Sequence, residues 1–177
     1  MSFGLIFHGD KTSRFGLVGN TDADWAGCTI DRRSIGGYCF YLNNSLISHM
    51  SRKQKTVALS TAEAETHAAI ETTKEAIWLR NILEELGYKQ TKPTTIFCDN
   101  QAAIALSRNP EFHARSKHVD MQYQFIRQHV DLNTVNLRFI RSEDMVADGL
   151  TKSLGRQKHE KFCQYLQGKI GMNSDLE

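Results

Sequence analysis

Residues 94–108 read TTIFCDNQAAIALSR, and this stretch indicates the fold class. The apolar segment Thr94–Cys98 predicts a short β-strand. The next segment, Gln101–Arg108, predicts a helix with Asp99 or Asn100 as its N-cap. A strand that runs directly into a helix is typical of a parallel sheet covered by helices. The stretch therefore predicts an α/β protein.

A long helix is predicted upstream of this stretch, from an N-cap at Ser60 to a stop at Gly87. Ser60 and Glu63 form a capping box. Residues three and four apart form one continuous helical face, which consists of Ala62, Glu65, Ala69, Thr72, Ala76, Leu79, Leu83 and Leu86. Glu65 is the one carboxylate on this face, and burying an unpaired carboxylate is costly. Glu65 therefore needs a cation or a water-lined site near it.

The remaining elements complete a mixed α/β pattern. Four more strands are predicted, three before Thr94–Cys98 and one after it. A tight turn is predicted at residues 43–45. These strands are Phe15–Trp25, Gly36–Leu42, Leu46–Met50 and Thr134–Ile140. Helices are predicted at Lys117–Asp131, Met145–Thr151 and Gln157–Lys169. The order is three strands, a helix, a strand, helices, a strand and helices.

Carboxylates stand at informative positions in this pattern. Asp22 lies late in the first strand, Asp99 ends the fourth, and Asp148 begins a late helix. Functional groups collect outside the carboxyl ends of parallel strands. If the first and fourth strands are parallel neighbours, Asp22 and Asp99 meet there, and the long helix could add Glu65. The alternative is that these acids are helix caps and solvated charges.

Such a cluster has a chemical use. If it contains no lysine or arginine, its carboxylates repel one another strongly unless they bind hard divalent cations such as Mg²⁺. Two such ions about 3.5–4 Å apart can activate a water and stabilise the leaving oxygen of a phosphodiester. The carboxylate positions therefore favour a metal-dependent phosphodiesterase.

Composition excludes several other classes of protein. The 177 residues are 40% hydrophobic and 24% charged, as expected for one soluble domain. No apolar run is long enough to span a bilayer, and no signal peptide is expected. The four cysteines form no CxxC pair and are expected to be reduced thiols. A net charge of +2 does not by itself indicate a polyanionic partner.

Local basic runs are the exception to this weak net charge. One is the run RKQK at residues 52–55, and the other is a group of four near the C-terminus, Lys152, Arg156, Lys158 and Lys161. Such runs can contact phosphates. Each run taken alone is equally well explained as solvated surface.

Five motifs occur in order along the chain. They are TDADWAG (residues 21–27), SRKQKTVALSTAEAE (51–65), CDNQAAI (98–104), KHVD (117–120) and ADGLTK (147–152). Together they resemble the ribonuclease H region of Ty1/copia-like retrotransposon Pol polyproteins, over Gly4 to Leu154. Each motif alone is weak, but five in register are highly specific. The resemblance implies a ribonuclease H-like α/β fold, a five-stranded mixed sheet with helices on both faces.

The resemblance also implies an organisation and an activity. Residues 1–15 resemble a remnant of the connection to reverse transcriptase, residues 16–154 the ribonuclease H domain, and residues 155–177 a C-terminal helix and tail. The implied activity is metal-dependent hydrolysis of the RNA strand of RNA–DNA hybrids during reverse transcription. The implied partner is the reverse transcriptase portion of the same polyprotein, with no membrane partner. We expect a monomeric isolated domain and a cytoplasmic (virus-like particle) or nuclear location.

The family's catalytic, metal-binding carboxylates carry over onto four positions, Asp22, Glu65, Asp99 and Asp148. The resemblance implies that Asp22 bridges two Mg²⁺ ions, with Mn²⁺ as an alternative, that Glu65 and Asp99 complete one coordination sphere, and that Asp148 completes the other. Two rival acids are close in sequence. Asp24 shares the strand face of Asp22, so strand parity does not separate them, whereas Glu63 lies off the helical face and has a capping role.

Substrate recognition is implied to rest on shape and on 2′-hydroxyl contacts across the minor groove. Four basic residues near the motifs are predicted to contact phosphates, namely Arg52, Lys53, Lys55 and Lys152. The loop Arg141–Met145 lacks the histidine that cellular ribonucleases H carry there. His118 is equally well explained as a structural residue at a helix start.

Two further departures concern binding. Residues 109–117 lack a basic, Trp-rich segment, so we expect weak hybrid binding by the isolated domain. Asn20, His49 and Thr66 are polar where the family usually has aromatics, and one hypothesis is that these three residues face a partner surface. Drift in a decaying element and deliberate solubilisation are the alternatives.

Two other functions stay open at this point. One is a non-catalytic nucleic-acid-binding module, domesticated or decayed, and the other is a two-metal or integrase-like nuclease that acts on DNA. Four retained carboxylates favour an enzyme, because a protein that only binds phosphates has no use for an uncompensated acidic cluster. The motifs favour ribonuclease H over the DNA nuclease.

Overall fold

The structure is a computed structural model that describes residues 4–7, 16–108 and 117–169. Five strands form one sheet in the order β3-β2-β1-β4-β5. Their bounds are β1 Leu17–Asp24, β2 Ile35–Leu42, β3 Ser45–Lys53, β4 Thr94–Cys98 and β5 Val135–Phe139. β1, β2 and β3 pair antiparallel, whereas β4 pairs parallel with both β1 and β5. The predicted five-stranded mixed sheet is confirmed.

Helices cover both faces of this sheet. They are α1 Thr61–Glu85, α2 Gln101–Arg108, α3 Lys117–Asp131, α4 Asp148–Thr151 and α5 Arg156–Leu166, with a 3₁₀ helix at Ser142–Asp144. Side chains from α1, α2 and α3 form the main core with Phe40, Ile96 and Leu137 of the sheet. On the opposite face, residues 145–147, α4 and α5 cover Tyr41 and Phe97.

The ends of α1 follow from its sequence. The Ser60 hydroxyl accepts a hydrogen bond from the Glu63 backbone N–H at 3.2 Å, and the Glu63 carboxylate accepts one from the Leu59 N–H at 2.7 Å. At the other end Gly87 has a φ of +85°, and its N–H donates to the Glu84 carbonyl. The predicted face is buried except at its ends. Leu86 is exposed, because it lies past the last helical turn.

Several predicted bounds differ from the structure. Asn43 and Asn44 both have positive φ, as a two-residue type I′ hairpin turn requires, so β3 already begins at Ser45 and continues to Lys53. The predicted helix Met145–Thr151 is wrong over its first half. Met145 is extended, with a ψ of 106°, and this conformation buries it against the sheet, so only Asp148–Thr151 is helical.

The proposed partner surface at Asn20, His49 and Thr66 is wrong for two of its three residues. Asn20 is buried in β1 opposite Cys39. Thr66 is buried in α1, where its hydroxyl donates to the Ala62 carbonyl at 2.7 Å. Only His49 is exposed.

Some predictions lie outside the described residues. They concern residues 1–3 and 8–15, the segment 109–116, the tail 170–177 and the side chain of His118. Among the described residues, no helix is long and apolar enough to cross a membrane.

Candidate metal centre

Three of the four predicted carboxylates converge at one edge of the sheet. Asp22 comes from β1, Asp99 follows β4, and Asp148 begins α4. One carboxylate oxygen of each lies within 4.8 Å of the others. Asp22 and Asp99 approach because β1 and β4 are parallel neighbours. Asp148 joins them because α4 packs against β1 and β2.

Glu65 adjoins this trio through Asp99. A carboxylate oxygen of Glu65, the Cys98 thiol and a carboxylate oxygen of Asp99 also lie within 4.8 Å of one another. Asp99 is therefore common to both groups. Glu65 is only 6% exposed, and its Oε2 has no hydrogen-bond partner in the described part of the chain. Cys98 was not among the predicted site residues.

The rival acids are placed differently. The Asn100 Oδ1 accepts a hydrogen bond from the Ala103 N–H at 3.0 Å, so Asn100 is the cap of α2 and Asp99 is left for the cluster. Glu63 takes part in the N-terminal cap of α1 beside Ser60, by accepting a hydrogen bond from the Leu59 N–H. Asp24 belongs to neither group of potential ligands. The structure thus distinguishes Asp22 from Asp24, which strand parity did not, and it identifies Asn100 rather than Asp99 as the cap of α2.

Glycine at position 37 allows α4 to come this close. Gly37 lies opposite Asp22 in the β1–β2 register. A Cβ at position 37 would stand 2.8 Å from the Leu150 Cβ and 2.9 Å from the Thr151 Cγ2. Any larger residue would push α4 away from the sheet, and Asp148 with it.

Two hydroxyl groups that sequence reasoning missed orient the carboxylates. The Thr151 hydroxyl donates to Asp22 Oδ2, and the Ser142 hydroxyl donates to Asp99 Oδ2 at 2.7 Å. Thr151 stands three residues after Asp148 in a short helix, a spacing that places both on one face. That spacing could have identified Thr151, whereas no sequence signal marks Ser142.

The cluster contains a cation, contrary to the premise of the sequence argument. The Lys152 ammonium lies 2.7 Å from Asp148 Oδ1 and 4.0 Å from Asp22 Oδ2. Partial burial opposes protonation of Lys152, but the contact with Asp148 and the charges of Asp22 and Asp99 raise its pKa. The ammonium group therefore offsets part of the acidic charge.

Burial perturbs two of the carboxyl groups. Burial raises the pKa of Glu65 to about 9, and the charges of Asp22 and Asp99 add to this effect. Burial also raises the pKa of Asp22 to about 6, although the Thr151 hydrogen bond and Lys152 oppose the rise. At neutral pH the Glu65 side chain is therefore protonated in the absence of a bound cation.

The predicted phosphate contacts fall into three environments. Arg52, on β3, and Lys55, in the loop after it, are exposed. The Lys53 ammonium is bound to Asp31 at 2.9 Å. Lys152 belongs to the acidic cluster itself. Arg52 and Lys55 are thus the two most available to a polyanion.

Known proteins with similar sequences include Pol polyproteins of transposons. No family model matches the chain. The chain is 46% identical to the retrovirus-related Pol polyprotein from transposon TNT 1-94 of Nicotiana tabacum, over 90% of this chain and 12% of that protein. It is 40% identical to the corresponding polyprotein from transposon RE1 of Arabidopsis thaliana, over 92% of this chain and 11% of that protein. The chain therefore spans about a tenth of the length of these relatives.

Known structures with a similar fold include ribonucleases H and a reverse transcriptase. LC11-RNase H1, isolated from compost by a metagenomic approach, is similar with a TM-score of 0.58 and 12% identity, over 78% of this chain and 94% of that one. Its complex with an RNA/DNA hybrid gives a TM-score of 0.57 at 11% identity, over 76% of this chain and 93% of that one. A prototype foamy virus protease–reverse transcriptase gives 0.52 at 12% identity, over 95% of this chain and 22% of that one. The homologues of this chain are thus Pol polyproteins of copia-like transposons, of which it matches a part, and the chain has the ribonuclease H fold.

Proposed function

We propose that this chain is a ribonuclease H that hydrolyses the RNA strand of RNA–DNA hybrids with two divalent cations, Mg²⁺ or Mn²⁺. The observation that carries the proposal is the convergence of Asp22, Asp99 and Asp148, with Glu65 beside them, at one edge of the sheet. Bringing four acids from four separate segments together lowers the stability of the fold, and Lys152 offsets only part of that cost, so a bound cation explains why they converge.

The donor set fits hard divalent cations. Carboxylate oxygens are the ligands that Mg²⁺ prefers. The buried Glu65 Oε2 has no hydrogen-bond partner among the described residues, and coordination of a bound ion would satisfy this oxygen instead. Among the described residues, the thiol of Cys98 is the one soft donor in the two groups of potential ligands. We therefore assign metal binding to Asp22, Glu65, Asp99 and Asp148.

Each residue of the cluster has a task under this proposal. When bound, the ions supply Lewis acidity toward the scissile phosphate and its attacking water. Asp99 is the acid common to both groups of potential ligands, and the sequence resemblance gives Asp22 a corresponding central place, so Asp22 and Asp99 would hold the ions together with Glu65 and Asp148. Thr151 and Ser142 fix the carboxylates of Asp22 and Asp99 through their hydroxyl groups.

A hybrid is the proposed substrate for two reasons. The chain has the fold of LC11-RNase H1, which has been solved in complex with an RNA/DNA hybrid. Arg52 and Lys55 are exposed and offer positive charge to a phosphate backbone, while 2′-hydroxyl groups would distinguish RNA from DNA. We propose further that the chain acts beside the reverse transcriptase of a Pol polyprotein, in a cytoplasmic virus-like particle or in the nucleus.

Strand-specific cleavage tests the proposal. A hybrid labelled on each strand is incubated with the protein and Mg²⁺ or Mn²⁺, beside a duplex DNA of the same sequence. Asp99→Asn and EDTA should each abolish cleavage, whereas Asp24→Asn, a neighbouring acid outside the cluster, should retain it. We expect cleavage of the RNA strand only.

Two outcomes would contradict this function. Equal cleavage of duplex DNA would favour the DNA nuclease. A folded protein that cuts no hybrid, even with its reverse transcriptase added, would favour the binding module. The acidic cluster argues against that module, because it repels the phosphates that a binder must hold.

A further inference from the structure

Lys152 is the one described cation that pairs with the carboxylates of the candidate metal centre. It directly follows α4 and stands four residues after Asp148. Its ammonium nitrogen lies between Asp148 Oδ1, at 2.7 Å, and Asp22 Oδ2, at 4.0 Å. This arrangement gives the Asp22–Asp148 side of the cluster a cation of its own.

An ammonium group and a divalent ion exclude each other at this position. Mg²⁺ binds carboxylate oxygens at about 2.1 Å, so an ion held by both acids would lie in the space next to the ammonium group and repel it. The Glu65–Asp99 side has no such cation among the described residues. The two sides of the cluster therefore differ in how open they are to an added ion.

Lys152 is also free to leave. Its side chain is 40% exposed, while those of Asp22 and Asp148 are 2% and 8% exposed. A lysine ammonium group moves on a flexible four-carbon chain, and a phosphate is a strong competing partner for it. A nucleic-acid backbone entering the site supplies that phosphate.

We propose, on the basis of the proposed function, that Lys152 closes the Asp22–Asp148 side to a divalent cation until a nucleic-acid phosphate draws its ammonium group away. The free protein then binds one divalent ion, on the Glu65–Asp99 side. The second ion enters only with the substrate. Full metal occupancy is in this way coupled to substrate binding.

Calorimetric titration of the full chain with Mn²⁺, without nucleic acid, tests this coupling. We expect one bound ion in the wild type and in Lys152→Arg, which keeps a cation. Lys152→Met should bind two ions, or bind the second at least about tenfold more tightly. The matched control is Lys74→Met, because Lys74 also pairs with one acid, Glu71, but on the solvent side of α1. This control should bind one ion.

The possible results separate the two proposals. If the wild type and Lys152→Met bind one ion with equal affinity, or both bind two, the role of Lys152 is refuted and the metal centre stands. If no variant binds Mn²⁺, the proposed function fails and this inference fails with it.

A second measurement is independent of metal. In EDTA, Lys152→Met should melt at a lower temperature than Lys74→Met, because Asp22 and Asp148 lose their shared counter-ion. An equal melting temperature would count against the role of Lys152.

Discussion

Replacing Glu65 with glutamine should stabilise the metal-free protein at neutral pH. Glutamine has nearly the same shape, and its carbonyl oxygen can keep the hydrogen bond that Glu65 makes with the Ala23 backbone. The substitution removes the ability to ionise and replaces one carboxyl oxygen with an amide NH₂ group. A buried group that resists ionisation lowers stability wherever the unfolded chain would ionise it.

The magnitude follows from the pKa of Glu65, which burial raises from 4.5 to about 9. The unfolded chain loses the proton near pH 4.5, whereas the folded protein keeps it until about pH 9. The glutamate therefore destabilises the fold progressively as pH rises between these values, by about 1.4 kcal/mol per pH unit. At pH 7 the penalty is about 3 kcal/mol. For a protein of this size that penalty corresponds to about 6–12 °C in melting temperature.

Urea unfolding in EDTA, followed by circular dichroism at pH 4.5 and pH 7, measures the effect. Glu65→Gln should exceed the wild type in free energy of unfolding at pH 7. The difference should fall to less than about 0.5 kcal/mol at pH 4.5, where the folded glutamate is neutral and only about half of the unfolded chains ionise it. Glu63→Gln, which removes an acid of the same helix outside the cluster, is the control. A difference that is absent at pH 7, or equal at both pH values, would refute the reasoning.

Three further predictions concern the structure around the cluster. Asn100→Ala should lower the free energy of unfolding by about 1 kcal/mol in a denaturant titration, because it removes the N-cap of α2; an unchanged value would show that another group caps the helix. Gly37→Ala should cost about 1–3 kcal/mol in the same assay, because its methyl group would meet α4, whereas Gly155→Ala, where a Cβ meets nothing within 4 Å, should not incur that overpacking cost. Thr151→Val removes the hydrogen bond to Asp22 and should raise the pKa of Asp22 above its value of about 6, as followed by carboxyl-carbon NMR of the metal-free protein; a lower pKa would contradict the orienting role of Thr151.

Local chemistry explains what could be predicted from the sequence. The cap at Ser60, the positive-φ glycine at position 87 and the apolar period between them depend on residues only a few positions apart, so the bounds of α1 were predictable. The same local reasoning marked Glu65, because a lone acid on a core face needs a partner. The parallel pairing of β1 with β4 was a condition in the sequence argument, and the structure meets it.

Long-range packing explains what could not be predicted. The contacts of Ser142 with Asp99 and of Thr151 with Asp22 join residues 43 and 129 positions apart. The periodicity of a single helix or strand does not predict such a contact, since the contact depends on how residues 140–152 cross the sheet. The burial of Asn20 likewise depends on its neighbours in the sheet. A polar residue beside a motif therefore does not indicate an exposed surface.

The metal-free protein balances its four acids by two separate means. Glu65 keeps a proton because burial raises its pKa, and the Lys152 ammonium group pairs with Asp148 and approaches Asp22. Glu65 becomes a metal ligand when it loses its proton. Asp22 and Asp148 become available when the flexible side chain of Lys152 moves away. A divalent ion that binds near Glu65 competes with the proton, whereas an ion that binds near Asp148 competes with the ammonium group. The two halves of the cluster should thus respond to different signals, one to pH and the other to phosphate.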